Sequence, residues 1–142
     1  MRITRSFEGQ KIPTFPITLR GPLSNTFGEH EYEAGIDTGF TGFMFLPFLE
    51  ALKPGLILRG AMPLTLADGK PQTFLYCLGE VLIESKSDLG IVLISPSDDV
   101  LIGMEFLTQF GLKLIVDPIS KSATLTDEEI LLQAAQLPEV SS

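Results

Sequence analysis

Gly35-Ile36-Asp37-Thr38-Gly39-Phe40-Thr41-Gly42 sets one acid between the end of an apolar strand and a glycine-bearing loop. Ile36, Phe40, Phe43 and Phe45 make its surroundings apolar, so a carboxylate at residue 37 gives up part of its hydration. Thr38 brings a hydroxyl beside it. Gly39 lacks a Cβ and lets another backbone or a bound molecule come close. An acid held in this way is a candidate for proton chemistry.

The rest of the composition narrows what that chemistry serves. The chain has 142 residues, which the usual size prior reads as one domain with a real core. Its hydrophobic content of 44% argues against general disorder. The net charge of −8, with no Lys/Arg cluster, argues against a phosphate-backbone partner, so no nucleic acid is expected. Cys77 is the single cysteine, which rules out an intrachain disulfide and suits a reducing, cytoplasmic setting. His30 is the single histidine, and no Cys/His spacing suggests a metal; no cofactor is expected either. Met1 to Arg5 holds no apolar targeting region and no apolar run approaches a membrane span, so no membrane partner is expected.

Residue patterns predict a β-rich chain. Residues 1–7 read as a first strand, and Thr14 to Leu19 as a second with Phe15, Ile17 and Leu19 on one face. Gly21 to Gly28 reads as a loop, and Glu29 to Ile36 as the strand that delivers Asp37. Pro47 to Leu52 reads as a short helix, with Pro47 in its first turn. Leu56 to Gly60 is expected to be a short strand. Leu64 to Leu66 and Gln72 to Leu78 flank Asp68-Gly69, a strong hairpin signal. Glu80 to Ile83 and Ile91 to Ile94 are expected as strands joined by a loop, Glu84 to Gly90. Val100 to Ile102 is an apolar strand ending at Gly103, and Met104, Leu107 and Phe110 mark one side of a helix stopped by Gly111. A hairpin is expected around Asp117-Pro118. Thr126 to Glu129 spells a capping box, which predicts a C-terminal helical extension over residues 127–142, beyond a domain of residues 1–126. The two halves echo each other, since each runs an apolar strand into a glycine and then a short helix.

Asp37-Thr38-Gly39 after an apolar strand resembles the signature of the retropepsin-like aspartic proteases, and Ile36 to Pro47 resembles the small bacterial members of that group. Leu66-Ala67-Asp68-Gly69-Lys70 falls where that family has its flap hairpin. Leu101-Ile102-Gly103 with Met104 to Leu107 resembles its second glycine motif. The three come in the family's order and span about residues 10–126. The resemblance implies an all-β, closed barrel with a flap, one or two short helices, and an extra C-terminal helix. It implies an aspartic endopeptidase working on peptide or protein substrates with hydrophobic residues near the cleavage site.

Aspartic proteolysis takes two carboxylates facing one water, one ionised and one protonated. It is known of aspartic proteases that carboxylates about 3 Å apart share a proton, because both cannot ionise. This chain holds no second DTG or DSG, so the resemblance implies a symmetric homodimer with one Asp37 from each copy. In the same terms Asp37, Thr38 and Gly39 are the catalytic loop, with Thr38 bonding across the dimer axis. Leu66, Ala67, Asp68 and Gly69 form the flap, and Phe40, Met44, Leu66, Leu101 and Ile102 are candidate subsite walls. Gly103 is the glycine tucked below the site. Two positions depart from the viral members: Phe40 stands where they carry Ala or Ser, and Met104-Glu105 stands where they carry Arg and then Asp or Asn. Two other readings stay open on the sequence. One is a non-catalytic module of the same fold that binds peptides or dimerises. The other is an ordinary small barrel in which Asp37-Thr38-Gly39 is only a turn with a self-bonded aspartate.

Overall fold

The computed structural model describes residues 1–9, 11–66 and 68–129, and over these the chain is mostly β. The first half runs β1 (Arg2–Ser6), β2 (Thr14–Arg20), α1 (Ser24–Phe27), β3 (His30–Ile36), β4 (Met44–Pro47), α2 (Phe48–Leu52) and β5 (Leu58–Thr65). The second half runs β6 (Pro71–Ile83), β7 (Lys86–Ser95), β8 (Leu101–Ile102), α3 (Met104–Phe110), β9 (Lys113–Asp117) and β10 (Ser122–Thr126).

Six strands follow one another as β2-β3-β8-β4-β7-β6, and β6 pairs back onto β2 through Thr18↔Leu82, Leu19↔Val81 and Arg20↔Glu80. The sheet therefore closes into a ring. One strand can do this because β6 has 13 residues. Its first half carries β5 on one edge, from Thr65↔Pro71 to Leu58↔Cys77, and its second half is free for β2. The ring repeats itself. Exchanging β2 with β6, β3 with β7 and β4 with β8 maps each pairing onto another of the same sense. The parallel pair β3–β8 becomes the parallel pair β7–β4, while the antiparallel pairs β4–β8 and β2–β6 map onto themselves. The echo between the halves of the sequence is thus present in the topology, with α2 and α3 as matching helices.

Alternation along these strands feeds two separate apolar clusters, because successive side chains leave a strand on opposite faces. Phe15, Ile17 and Leu19 of β2, Met44 and Leu46 of β4, Val92 of β7 and Ile102 of β8 point into the main core, together with Phe106 and Phe110 of α3. Phe45, Leu93 and Leu101, one residue out of phase, join Phe40 and Phe74 on the other face. All four residues of β4 are buried. Such a strand reads as an unbroken apolar run, as Met44-Phe45-Leu46 does.

Several boundaries differ from the sequence reading. Residues 21–28 hold α1 instead of a plain loop. Glu84 to Gly90 is not a loop: Ile83 pairs with Lys86, so only Glu84 and Ser85 turn the β6–β7 hairpin, with Glu84 at φ 53°. Lys86 and Asp88 lie at the outer end of β7, where charged side chains stay hydrated without breaking the ladder. The segments 72–78 and 80–83 are a single strand through Gly79, whose missing Cβ avoids Leu19 and Leu56. Pro47 ends β4 and precedes α2, which starts at Phe48. The described residues hold three short helices, against the one or two expected. Met104 is exposed; α3 buries Phe106, Leu107 and Phe110 instead. Its stop at Gly111 is as read, with φ 65° and an N–H on the Leu107 and Thr108 carbonyls. The helix expected over 127–142 lies, from residue 130 on, outside the described residues.

A second sheet, β1-β10-β9, covers one end of the core with Ala123 and Leu125. Its corner is tied electrostatically. The Met1 ammonium donates to Asp127 Oδ1 at 2.9 Å, and Lys86 Nζ lies 3.2 Å from Asp127 Oδ2. These two cations, the ammonium first, pull the Asp127 carboxyl down to about 2 from an ordinary 3.8. A lowered folded value means stabilisation that is complete above the ordinary value and lost as pH falls towards 2. The melting temperature of Asp127→Asn is expected below that of the natural chain at neutral pH, with the gap closing as pH falls from about 4 to 2. A thermal melt series across that range checks it, and a gap independent of pH would contradict it.

Candidate active site

Asp37 follows β3 directly, and alternation decides where it looks. Tyr32, Ala34 and Ile36 face inwards, so Glu33, Gly35 and Asp37 face outwards. The backbone around Asp37 is held from several directions. Gly35 N–H donates to Val100 O at 2.9 Å, Ile36 N–H to Pro13 O at 3.2 Å and Asp37 N–H to Ile102 O at 3.0 Å. The chain then turns: Phe40 N–H donates to Asp37 O at 3.1 Å, and Gly39 N–H donates to Asp37 Oδ1 at 3.0 Å. That second bond fixes the half-buried carboxylate through one oxygen, and Asp37 lines the adjoining cleft.

The start of α3 is built onto this turn. Gly103 N–H donates to Phe43 O at 3.1 Å, Met104 N–H to Phe40 O at 2.9 Å, and Glu105 N–H to Thr41 O and Gly42 O at 3.2 Å. First-turn donors of a helix lack partners of their own, and here loop carbonyls supply them. The approach is too close for a side chain at residue 103. A Cβ there would sit 2.4 Å from Gly42 O and 2.5 Å from Phe40 O.

Over this loop stands the β5–β6 hairpin. Asp37, Gly39, Phe40, Thr41 and Phe45 line one side of a cleft of about 240 Å3, and Leu64, Thr65 and Leu66 line the other. The floor is aromatic: Phe40 and Phe45 stack with centroids 4.3 Å apart, and Phe74 meets Phe45 edge-on at 5.2 Å. The hairpin tip is closed by Gly69 N–H to Leu66 O at 2.9 Å, Leu66 N–H to Lys70 O at 3.3 Å and Lys70 N–H to Asp68 Oδ1 at 2.9 Å. Gly69 has φ 78°, which suits glycine.

The structure thus brings Asp37, Gly39, Phe40 and Leu66 together around one cleft. Thr38 is exposed beside it. Asp68 and Gly69 are at the hairpin tip but not in the cleft wall, and Ala67 lies outside the described residues. Ile102 and Met44 are not subsite walls: both are fully buried in the main core, because their strand faces point inwards. Leu101 is in the cluster beneath the cleft and borders a different cavity, of about 480 Å3, with Ile12 and Val100. Leu64 and Thr65 also line the cleft and were not singled out from sequence, while Phe74 packs against Phe45. The spacing Met62, Leu64, Leu66 was the available signal, since it marks the inner face of β5. Cys77 is buried in the main core and burial pushes its thiol up, which suits a packing role. Among the described residues no three His, Cys, Asp or Glu side chains gather as metal ligands do, and no helix is long and apolar enough to cross a membrane.

No protein-family model matches this chain, and no curated protein matches it at a significant level.

Gly103→Ala forces a methyl against two backbone carbonyls, so it is expected to destabilise by about 3 kcal/mol, the upper part of the usual overpacking range. Gly39→Ala would meet only the Asp37 carboxylate, at 3.3 Å, and is expected to lose under ~1 kcal/mol. Chemical denaturation of both variants checks the contrast, and equal losses would contradict it.

Proposed function

We propose that this chain is a retropepsin-like aspartic endopeptidase that works as a symmetric homodimer. The observation that carries the reading is the cleft itself. A single outward-facing carboxylate, pinned through one oxygen, shares a cleft with Leu64 and Leu66 of the β5–β6 hairpin. The Gly39-to-Asp37 bond by itself is what any aspartate turn displays. An overhanging hairpin and an aromatic floor are more than such a turn requires, and they favour a site for an extended, apolar peptide.

In this reading each copy brings one Asp37 to the two-fold axis. One carboxylate, ionised, takes a proton from water; the other, protonated, donates to the scissile carbonyl as water attacks its carbon. Proton sharing between the two follows from their closeness. The β5–β6 hairpin is the flap that closes over the peptide and sheds water. The ring of strands is then the family's barrel, Gly103 its second glycine, and the partners are a second copy and a protein substrate, in the cytoplasm. Thr38, exposed beside Asp37, is free to meet its counterpart across the axis.

Asp37→Asn keeps an oxygen to accept from Gly39 N–H yet cannot ionise. It is expected to leave the dimer intact by sedimentation and to lower cleavage of a hydrophobic peptide library by at least about 10²–10⁴-fold. Cleavage at the natural rate would sink the assignment. A dimer that binds such peptides but never cuts them would favour the non-catalytic module.

A further inference from the structure

Phe40 sits where a small residue would leave the cleft open, and the fold goes to some length to house it. The residue is 6% exposed although its own N–H rests on the Asp37 carbonyl. Two glycines make the niche. A Cβ at Gly42 would lie 2.5 Å from the ring, and one at Gly103 would lie 2.6 Å from Phe40 Cδ2. The ring then stacks on Phe45 at 4.3 Å, so the base of the cleft beside Asp37 is two rings in contact.

We propose that Phe40 determines the size of the side chain accepted beside Asp37, so that the pocket takes branched aliphatic residues and turns away aromatic ones. The inference rests on reading the cleft as a peptide site. Its chemistry is that of a filled base. The space, about 240 Å3, falls below the ~300–1,000 Å3 of pockets that enclose a drug-sized molecule, so it suits one side chain at a time. A Val or Leu end lies across the two rings and touches Leu64 and Leu66 at the opposite wall. An aromatic ring standing in the cleft needs the depth that Phe40 already occupies. Removing the Phe40 ring gives that depth back, because the niche formed by Gly42 and Gly103 remains.

The test uses the full-length chain and peptides that differ only at one central position, carrying Val, Leu, Phe or Trp. On the natural chain, kcat/KM is expected to favour Val and Leu. Phe40→Ala is expected to shift the aromatic-to-aliphatic ratio towards aromatics by about tenfold or more, chiefly through KM. Phe40→Leu shifts it in the same direction by less, which keeps the test alive if the alanine variant does not fold. An unchanged ratio in both variants, with or without a fall in kcat, makes the ring a mere support of the loop and overturns the proposal. Binding of the same peptides to the Asp37→Asn chain, with and without the residue-40 changes, separates the two readings. If nothing is cleaved but binding preference follows residue 40, the peptidase reading fails and the size filter stands. If binding is absent, or ignores residue 40, the filter fails.

Discussion

One missing methyl group governs the site. Residue 103 must come so near the carbonyls of Phe40 and Gly42 that only hydrogen fits there, and that contact seats the turn after Asp37 on the start of α3. It lets the first N–H groups of α3 bind the loop, and it leaves room for the Phe40 ring. The helix is also anchored in the main core by Phe106 and Phe110. The loop that aims Asp37 is therefore joined to the part of the molecule least able to shift.

Much of this was visible in the sequence because it depends on local rules. Alternation at Phe15, Ile17 and Leu19 gave β2, Gly111 gave the end of α3, and Asp68-Gly69 gave the hairpin, as residues with strong backbone or facing preferences do. The acid and its glycines could be read for the same reason. What could not be read depends on which of two apolar faces a residue joins. Met44, Phe45 and Leu46 are equally apolar, yet one faces the cleft cluster and two face the main core. The family resemblance puts Ile102 among the candidate pocket walls, while the phase of β8 turns it inwards. The length of β6 was hidden too, since Gly79 and the charged residues after Ile83 look like interruptions. In the structure Gly79 is a close approach and the charges ride an exposed hairpin end.

The doubled arrangement of the ring gives two loops equivalent places. The loop between β3 and β4 carries Asp37, and its counterpart under the exchange is the loop between β7 and β8, residues 96–100. The two loops serve equivalent places but have diverged in chemistry. One holds an acid between glycines and aromatics. The other, Pro96-Ser97-Asp98-Asp99-Val100, forms a serine-stabilised turn in which Ser97 N–H donates to Ser95 Oγ at 3.0 Å.

Among the described residues, β5 pairs with β6 alone, which leaves a row of backbone groups open along its far side. Such a border invites strands from neighbouring molecules to stack upon it, the first step towards fibres. Two residues discourage that growth. Pro63 has no amide hydrogen to offer, and Arg59 sets a charge on the rim. The open edge of β5 is thereby kept from becoming a seed.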